Sequence, residues 1–477
     1  MINSQSSPHA ALSRRLLPGL LALAVSLLAC SGGASLSSGD ATPPPPPGIS
    51  VPASGTVGFP VDLAVQGGLL GLNYLWTLTG ATFQGGAATA TGAAVSFTPM
   101  VAGPVSLSCV AIKGNIITSQ PTPGQLTVVP PSTAAGSFQS AGRLNQARQG
   151  LAAAALPDGT VLALGGAATP GGPGLASTEI YNPATKACAF GLPMNFPRAG
   201  HVLTRLSTSQ FLVTGGTAAS TPPAQAETCT FDGTRALFSP SGTMIAANRT
   251  GHTATYAAGP PAQVFVAGGL TGAGGPLANS EERYSPAIGG WTAAGTLALA
   301  PGHTATLLPT GKILLVTHDV EGRPLAALYD PAGGTFSATQ GPPAAAREGH
   351  QAILLTSPPK VLILGGRGAR GPLRSAEWYD PATGLFSPAA PMASPRADFG
   401  LAQLPGGQLL LLGGTADGST AVATAERYDP VAGTATPTGS MASPRRNPAV
   451  VPPPSGKVVV LGGFNETDGS LAGIEVY

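Results

Sequence analysis

The sequence predicts an all-β protein with two folded regions: a small β-sandwich and, after it, a larger body built from a repeated unit. Three observations carry this. Glycine pairs that follow β-branched or Leu-rich runs return every 47 to 53 residues from Gly165 onward. A Glu-x-Tyr triplet or its relic follows most of those pairs. Ahead of the repeats, residues 49–130 hold short alternating apolar runs between Gly/Pro turns, the period-two pattern of strands that bury one face.

The chain has 477 residues, room for two or three domains. Only 9% are charged, and 67 Gly with 49 Pro would suggest disorder if they were not periodic. Residues 1–29 read as an export signal: Arg14 and Arg15 precede the run LLPGLLALAVSLLA, too short for a comfortable membrane span. The run ends in Leu27-Leu28-Ala29-Cys30, which resembles the lipobox of bacterial lipoproteins. That resemblance implies cleavage before Cys30 and a diacylglycerol on its thiol. Ser31, rather than Asp, resembles the outer-membrane sorting preference. The expected location is therefore the outer membrane, reached through the lipid alone. Residues 30–48, rich in Gly and Ser and carrying Pro43 to Pro47, read as a tether. Removing the signal leaves equal numbers of basic and acidic residues and no basic stripe, so nucleic acid is not an expected partner.

Within residues 49–130, YLWTLTG and the later VSLSCVAI resemble the PKD and Ig-like modules of bacteria, with Trp76 as the core aromatic. Cys109 has no cysteine opposite it. Leu63 stands on the facing strand, so Cys109 reads as a buried thiol.

From residue 136 onward the glycine pairs are Gly165-Gly166, Gly215-Gly216, Gly268-Gly269, Gly365-Gly366, Gly413-Gly414 and Gly462-Gly463, with LLVTHD where a further pair is due. The triplets are Glu179-Ile180-Tyr181, Glu282-Arg283-Tyr284, Glu377-Trp378-Tyr379, Glu426-Arg427-Tyr428 and Glu475-Val476-Tyr477, and an Asx/Ser-Pro turn follows several of them. This constellation resembles the kelch repeat, which implies four-stranded blades in a β-propeller. Units of about 49 residues fill 136–477 seven times. The last unit stops after its third strand, and FQSAGRLNQAR, residues 138–148, matches the pattern of FSPAAPMASPR, residues 386–396. The expectation is a seven-bladed kelch-type β-propeller in which the N-terminal strand completes the last blade and closes the ring.

His201, His252, His303 and His350 occupy one repeat position, led by Arg198, Arg249 and Arg347, with Pro301 where the arginine is missing. The same position holds Leu151, Phe399 and Pro448 elsewhere. Substitution by Leu and Phe marks a half-buried packing slot rather than a metal or catalytic cluster. No catalytic residue, metal or cofactor is expected.

The departures from the repeat are the candidate site. In blade four His318-Asp319 stand at the glycine pair, followed by Glu321 and Arg323. In blade five RGARGPLR brings Arg367, Arg370 and Arg374 into one loop, a set able to clamp carboxylates or phosphates. The connections between blades carry Gln149, Asn248, Glu348, Asp398, Arg446 and Asn447, which vary while their flanks do not. Cys188 and Cys229 replace aromatics in neighbouring blades; an inter-blade disulfide and two separate buried thiols are both open.

Kelch propellers are mostly binding proteins, which implies a monomeric display ring for a protein or glycan ligand. The resemblance extends to galactose oxidase, whose copper centre uses two Tyr, two His and a Tyr–Cys cross-link, and to sugar mutarotases. No Tyr-Cys-His set falls on one expected face, so binding is the expected role and an enzyme the alternative.

Overall fold

Residues 46–477 are described in the computed structural model, apart from 52–53, 57–60, 67–71, 80–87, 98–102, 114–115, 118, 120, 130–135, 219–224, 273–274, 276–280, 298 and 453–455. Residues 1–45, with the expected export signal, Cys30 and most of the expected tether, lie outside the described residues.

The alternation read in the first region produces two sheets. Gly48–Ser50, Val61–Gln66 and Ala94–Phe97 form one; Thr122–Val129, Gly103–Lys113 and Asn73–Thr79 are the centre of the other. Along Asn73–Thr79 every second residue turns inward, so Tyr74, Trp76 and Leu78 are buried. Trp76 pairs directly across the ladder with Cys109, and Leu63 of the first sheet joins the same cluster. The Trp76 indole donates to the Gly92 carbonyl at 3.0 Å, satisfying the one polar group of an otherwise apolar side chain. Burial pushes the Cys109 thiol up to about 11.

The repeats form seven four-stranded antiparallel sheets among the described residues. Blade five is representative, with strands Gln351–Thr356, Pro359–Leu364, Ala376–Asp380 and Leu385–Ala389 in sequential order. First strands of successive blades lie against one another and surround the axis. The last blade takes Ala449–Val451, Val459–Leu461 and Gly473–Val476 from the end of the chain, and Gln139–Arg143 pairs with Gly473–Val476 as its fourth strand. The ring is therefore closed by the N-terminal strand, as the repeat pattern predicts.

Second strands such as Val161–Leu164 and Leu409–Leu412 are apolar at every position because both faces are covered. Val161 and Ala163 pack toward blade seven, while Leu162 and Leu164 pack toward blade two. Each such Leu or Val contributes about 1.5–3 kcal/mol by burial. Tyr181, Tyr329, Tyr379 and Tyr428, from the third strands, fill the spaces between sheets.

The repeated histidines are fully buried rather than half-buried. Each ring enters the seam with the preceding blade: His252 meets the Thr214 hydroxyl at 3.0 Å, His303 that of Thr253 at 3.0 Å, and His350 that of Thr304 at 2.8 Å. A Cβ on Gly165, Gly215 or Gly268 would stand 2.5 Å from the Cε1 of His201, His252 or His303. Glycine there serves the neighbouring blade's histidine as well as its own positive φ. Burial, reinforced by nearby arginines, holds His201, His252 and His350 down to about 3 and His303 to about 4, so all four are neutral packing groups.

Two blade-four expectations are corrected, and the open question of the cysteines is decided. Cys188 and Cys229 form no disulfide: both are free, Cys188 against the blade seven–one cluster and Cys229 in the blade one–two cluster, on opposite faces of one sheet. The blade-four register is also shifted by one. Val316 pairs with Ala326 as Leu164 pairs with Thr178, so Thr317-His318, rather than His318-Asp319, replace the glycine pair. In the same blade Ala300, three residues before His303, holds the arginine position, and Pro301 follows it.

Candidate functional site

The loop between second and third strands and the connection from the preceding blade meet at one end of the ring. They are held there by an arginine. Arg148, Arg198, Arg249, Arg347, Arg396 and Arg445 are all buried, and each donates through Nη1 to the carbonyl of the first glycine of a pair, at 2.6 to 3.0 Å. Each is ion-paired with a third-strand glutamate, Glu179, Glu227, Glu282, Glu377, Glu426 or Glu475, at 2.6 to 3.1 Å. The glutamates also accept backbone N–H groups of the connection, as Glu426 does from Ala393 at 2.5 Å and Glu475 from Ala442 at 2.7 Å. Burial of an unpaired guanidinium is costly; here every charge faces its opposite. Arg198 and its counterparts are therefore structural braces, and the Arg and the Glu of Glu-x-Tyr, which the sequence presents as separate signals, are the two halves of one contact.

Two residues after each brace position the chain adopts a positive φ: Gly150, Gly200, Gly251, Gly302, Gly349, Asp398 and Asn447, at 47 to 74°. Backbone bonds run from one blade to the next along this ring, from Gly349 N to Gly302 O, Asp398 N to Gly349 O and Asn447 N to Asp398 O, each at 2.9 Å. Glycine is the easy occupant of such a conformation, and Asp and Asn tolerate it at a cost. Only blades six and seven place side chains in this innermost ring.

The next positions outward pair across the two loops: Gln149 with Ala167, Ala199 with Thr217, Ala397 with Thr415, Glu348 with Arg367, and Arg446 with Phe464. Charge is confined to blades five and seven. Arg367 Nη1 lies 3.1 Å from Glu348 Oε1, and Arg367 Nη2 lies 3.3 Å from Asp398 Oδ2 and 3.2 Å from the Gly418 carbonyl. Arg446 stacks over Phe464, 5.2 Å to the ring centre, and reaches Glu466 Oε1 at 3.0 Å. Glu466 is held in turn by the Ala421 N–H at 2.9 Å. On the other side, His318 Nε2 is 3.9 Å from Glu348 Oε2. Burial pushes the Asp398 carboxyl up, Arg367 and Arg446 pull it back, and Glu348 adds to the rise.

The sequence-predicted residues divide accordingly. His318, Glu348, Arg367, Asp398 and Arg446 form one arc over blades four to seven, with Asn447 in the ring beside them. Arg370 and Arg374 do not join Arg367: both side chains are exposed and away from the arc's contacts. The expected three-arginine clamp is absent because Arg367 turns inward to two carboxylates. Asp319 instead closes the blade-four turn, accepting from Arg323 Nε at 2.7 Å, and Arg323 also meets Glu321 at 2.7 Å. Gln149 contacts Thr169 O at 3.4 Å, outside the arc. Phe464 and Glu466 were missed; aligning the residue after each glycine pair would have exposed Phe464 as the blade-seven counterpart of Arg367. Among the described residues no group of three or more His, Cys, Asp or Glu is placed to hold a metal ion.

Comparison with known proteins agrees with this architecture. The kelch motif matches residues 355–393, which span blade five from the end of its first strand to just past its fourth. No curated protein matches the chain. Among solved structures, a fungal alcohol oxidase of the AA5 family in complex with copper is similar at 17% identity, over 72% of this chain and 76% of that one, with a TM-score of 0.59. The structure of YjhT is similar at 12% identity, over 59% of this chain and 95% of that one, with a TM-score of 0.47. At 17% identity the likeness to the oxidase speaks for fold alone. The chain is an all-β protein whose repeats build a seven-bladed kelch-type β-propeller.

Proposed function

We propose that this protein is an exported, lipid-anchored binding protein of a bacterial cell envelope, holding a protein or glycan ligand on the propeller face that carries the arc. The observation that carries this reading is asymmetry. A ring needs its seven connections to be alike for closure, and five of them place bare glycine next to the axis, yet blades five to seven depart from the pattern together. Glu348, Arg367, Asp398, Arg446 and Asn447 therefore exceed what the scaffold requires, on a frame that the six braces hold rigid. Pre-organised polar groups on a fixed frame lower the ordering cost of binding.

The reading is tested by capturing cell-envelope material on the purified protein. Capture is expected with the native chain and is expected to be lost with Asn447→Gly and with Glu348→Gln. Copper analysis and hydrogen peroxide release from sugars or alcohols, run on the same sample, address the enzyme alternative. Stoichiometric copper with turnover would overturn the binding reading. Anchoring is tested by labelling cells with a fatty acid: label is expected on the native chain and none on Cys30→Ala.

A further inference from the structure

We propose that the seam between blades four and five binds a primary ammonium group of the ligand, seated between His318 Nε2 and Glu348 Oε2; this rests on the binding reading of the same face. The geometry begins with the other ring nitrogen. His318 Nδ1 lies 2.9 Å from the Asp319 carbonyl. A carbonyl only accepts, so Nδ1 carries a proton, and in the singly protonated tautomer Nε2 presents a lone pair. Nε2 faces a carboxylate oxygen at 3.9 Å, too far for a direct hydrogen bond.

The neighbouring donors are already engaged. Arg367 gives Nη1 to the other oxygen of Glu348 and Nη2 to Asp398 and the Gly418 carbonyl. Arg446 is held by Glu466. Three carboxyl groups, Glu348, Asp398 and Glu466, stand against the two guanidinium groups of Arg367 and Arg446. The unmet requirement is a cationic donor. One ammonium nitrogen making two hydrogen bonds of about 2.9 Å holds its acceptors roughly 4–5 Å apart, close to the gap present. A hydroxyl has one proton to give and no charge, so it would satisfy only one of the two acceptors.

A second, independent feature singles out this seam. His318 reaches it only because blade four lacks the glycine pair, so that its second strand runs straight on to His318, paired with Pro324. In the six braced blades the chain turns away two residues earlier. Both side chains remain partly accessible, at 25% for His318 and 35% for Glu348.

The test is a calorimetric titration of the full chain with two amines and their N-acetylated counterparts: Nα-acetyl-lysine methylamide against its Nε-acetyl form, and glucosamine trisaccharide against the N-acetylglucosamine trisaccharide. Whichever amine binds identifies the source as a lysine side chain or an amino sugar. The expected result is saturable binding of one amine, weakened about tenfold or more by its acetylation and by either His318→Phe or Glu348→Gln, since a charge-assisted hydrogen bond is lost in each case. Unchanged melting of both variants shows that the loss is not unfolding. Binding of neither amine, equal binding of the acetylated forms, or indifference to Glu348→Gln overturns the proposal. If envelope capture still depends on Asn447 while no amine competes, the ammonium assignment falls and the face reading stands. If capture ignores both substitutions on the face, the reading itself falls.

Discussion

Ala300 and Ala327 occupy, in blade four, the two positions at which the six other blades carry a buried Arg–Glu ion pair. The register fixes this: Ala327 pairs with Leu315 as Glu179 pairs with Ala163, and Ala300 precedes His303 by the three residues that separate Arg249 from His252. Both charges are gone together, and so is the glycine pair whose carbonyl the arginine would hold. An arginine left alone would be a buried unpaired charge, and so would a glutamate. Brace, counter-ion and glycine turn thus behave as one device that is present whole or not at all.

That coupling predicts non-additive stability. Arg396→Ala leaves Glu426 buried at 1% exposure without its partner and is expected to cost about 3–5 kcal/mol. The double change Arg396→Ala with Glu426→Ala, which copies blade four, is expected to cost well below the sum of the two single changes. Urea unfolding of all four proteins in a double-mutant cycle measures the coupling. Additive costs would refute the idea of a single device.

Acid sensitivity follows from the seam histidines. Their folded forms stay neutral down to about 3 for His201, His252 and His350 and about 4 for His303, against an ordinary value of 6.5. Below about 6.5 the unfolded chain therefore binds more protons than the folded one. Stability is full above that value and falls as pH drops toward 4, by about 1.4 kcal/mol per pH unit for each histidine. Glu281, which burial raises to about 7 from 4.5, works in the opposite direction, since the folded state takes up its proton near 7 and the unfolded chain only near 4.5. His201 is the one to change: neither ring nitrogen has a partner, and blade one uses Leu151 in the same slot. His201→Leu is expected to raise stability at pH 5.5 and to lower the pH slope by one proton. An unchanged slope would show that His201 is already charged in the fold.

The cysteine assignment gives a direct chemical readout. Burial holds the Cys188 thiol up at about 11 and that of Cys229 at about 12, so neither supplies thiolate at neutral pH. Thiol titration of the native protein at pH 8 is expected to be slow at both, and fast only after unfolding. Reductant is expected to leave the melting temperature unchanged. A downward shift with reductant would reveal a disulfide.

How far the sequence could be read depended on whether a feature recurs. The number of units and the closing strand follow from a period of about 49 residues, because a repeat states its own expectation and each copy tests it, while the four-stranded blades and the core Trp76 are what the resemblances to the kelch repeat and the PKD and Ig-like modules imply. The arc was partly legible for the same reason: Glu348, Asp398 and Arg446 stand out as departures from neighbours that match. The partners of those departures were not legible. Whether Arg367 turns toward Arg370 and Arg374 or inward to Glu348 and Asp398 depends on contacts between loops some 20 to 30 residues apart, and no local pattern carries that. The choice between a disulfide and two thiols, which the sequence leaves open, turns on a similar point: Cys188 and Cys229 belong to adjacent blades, but strand alternation puts them on opposite sides of one sheet.

Asn447 offers the cleanest separation of function from stability. It sits at φ 47° in a ring where five of seven positions are glycine, and none of its side-chain atoms takes part in the bonds that hold the arc together. Its backbone N–H still donates to the Asp398 carbonyl at 2.9 Å, a bond that glycine keeps. Asn447→Gly therefore relieves a left-handed conformation without removing a hydrogen bond or ion pair, and is expected to leave stability unchanged or raise it by up to about 1 kcal/mol. If the amide is there for a ligand, the same change lowers binding, the trade expected where a strained side chain is kept for function. Thermal melting and ligand titration on the same sample decide the matter. A variant that is more stable and binds as well as the native protein would remove Asn447 from the site and return it to the scaffold.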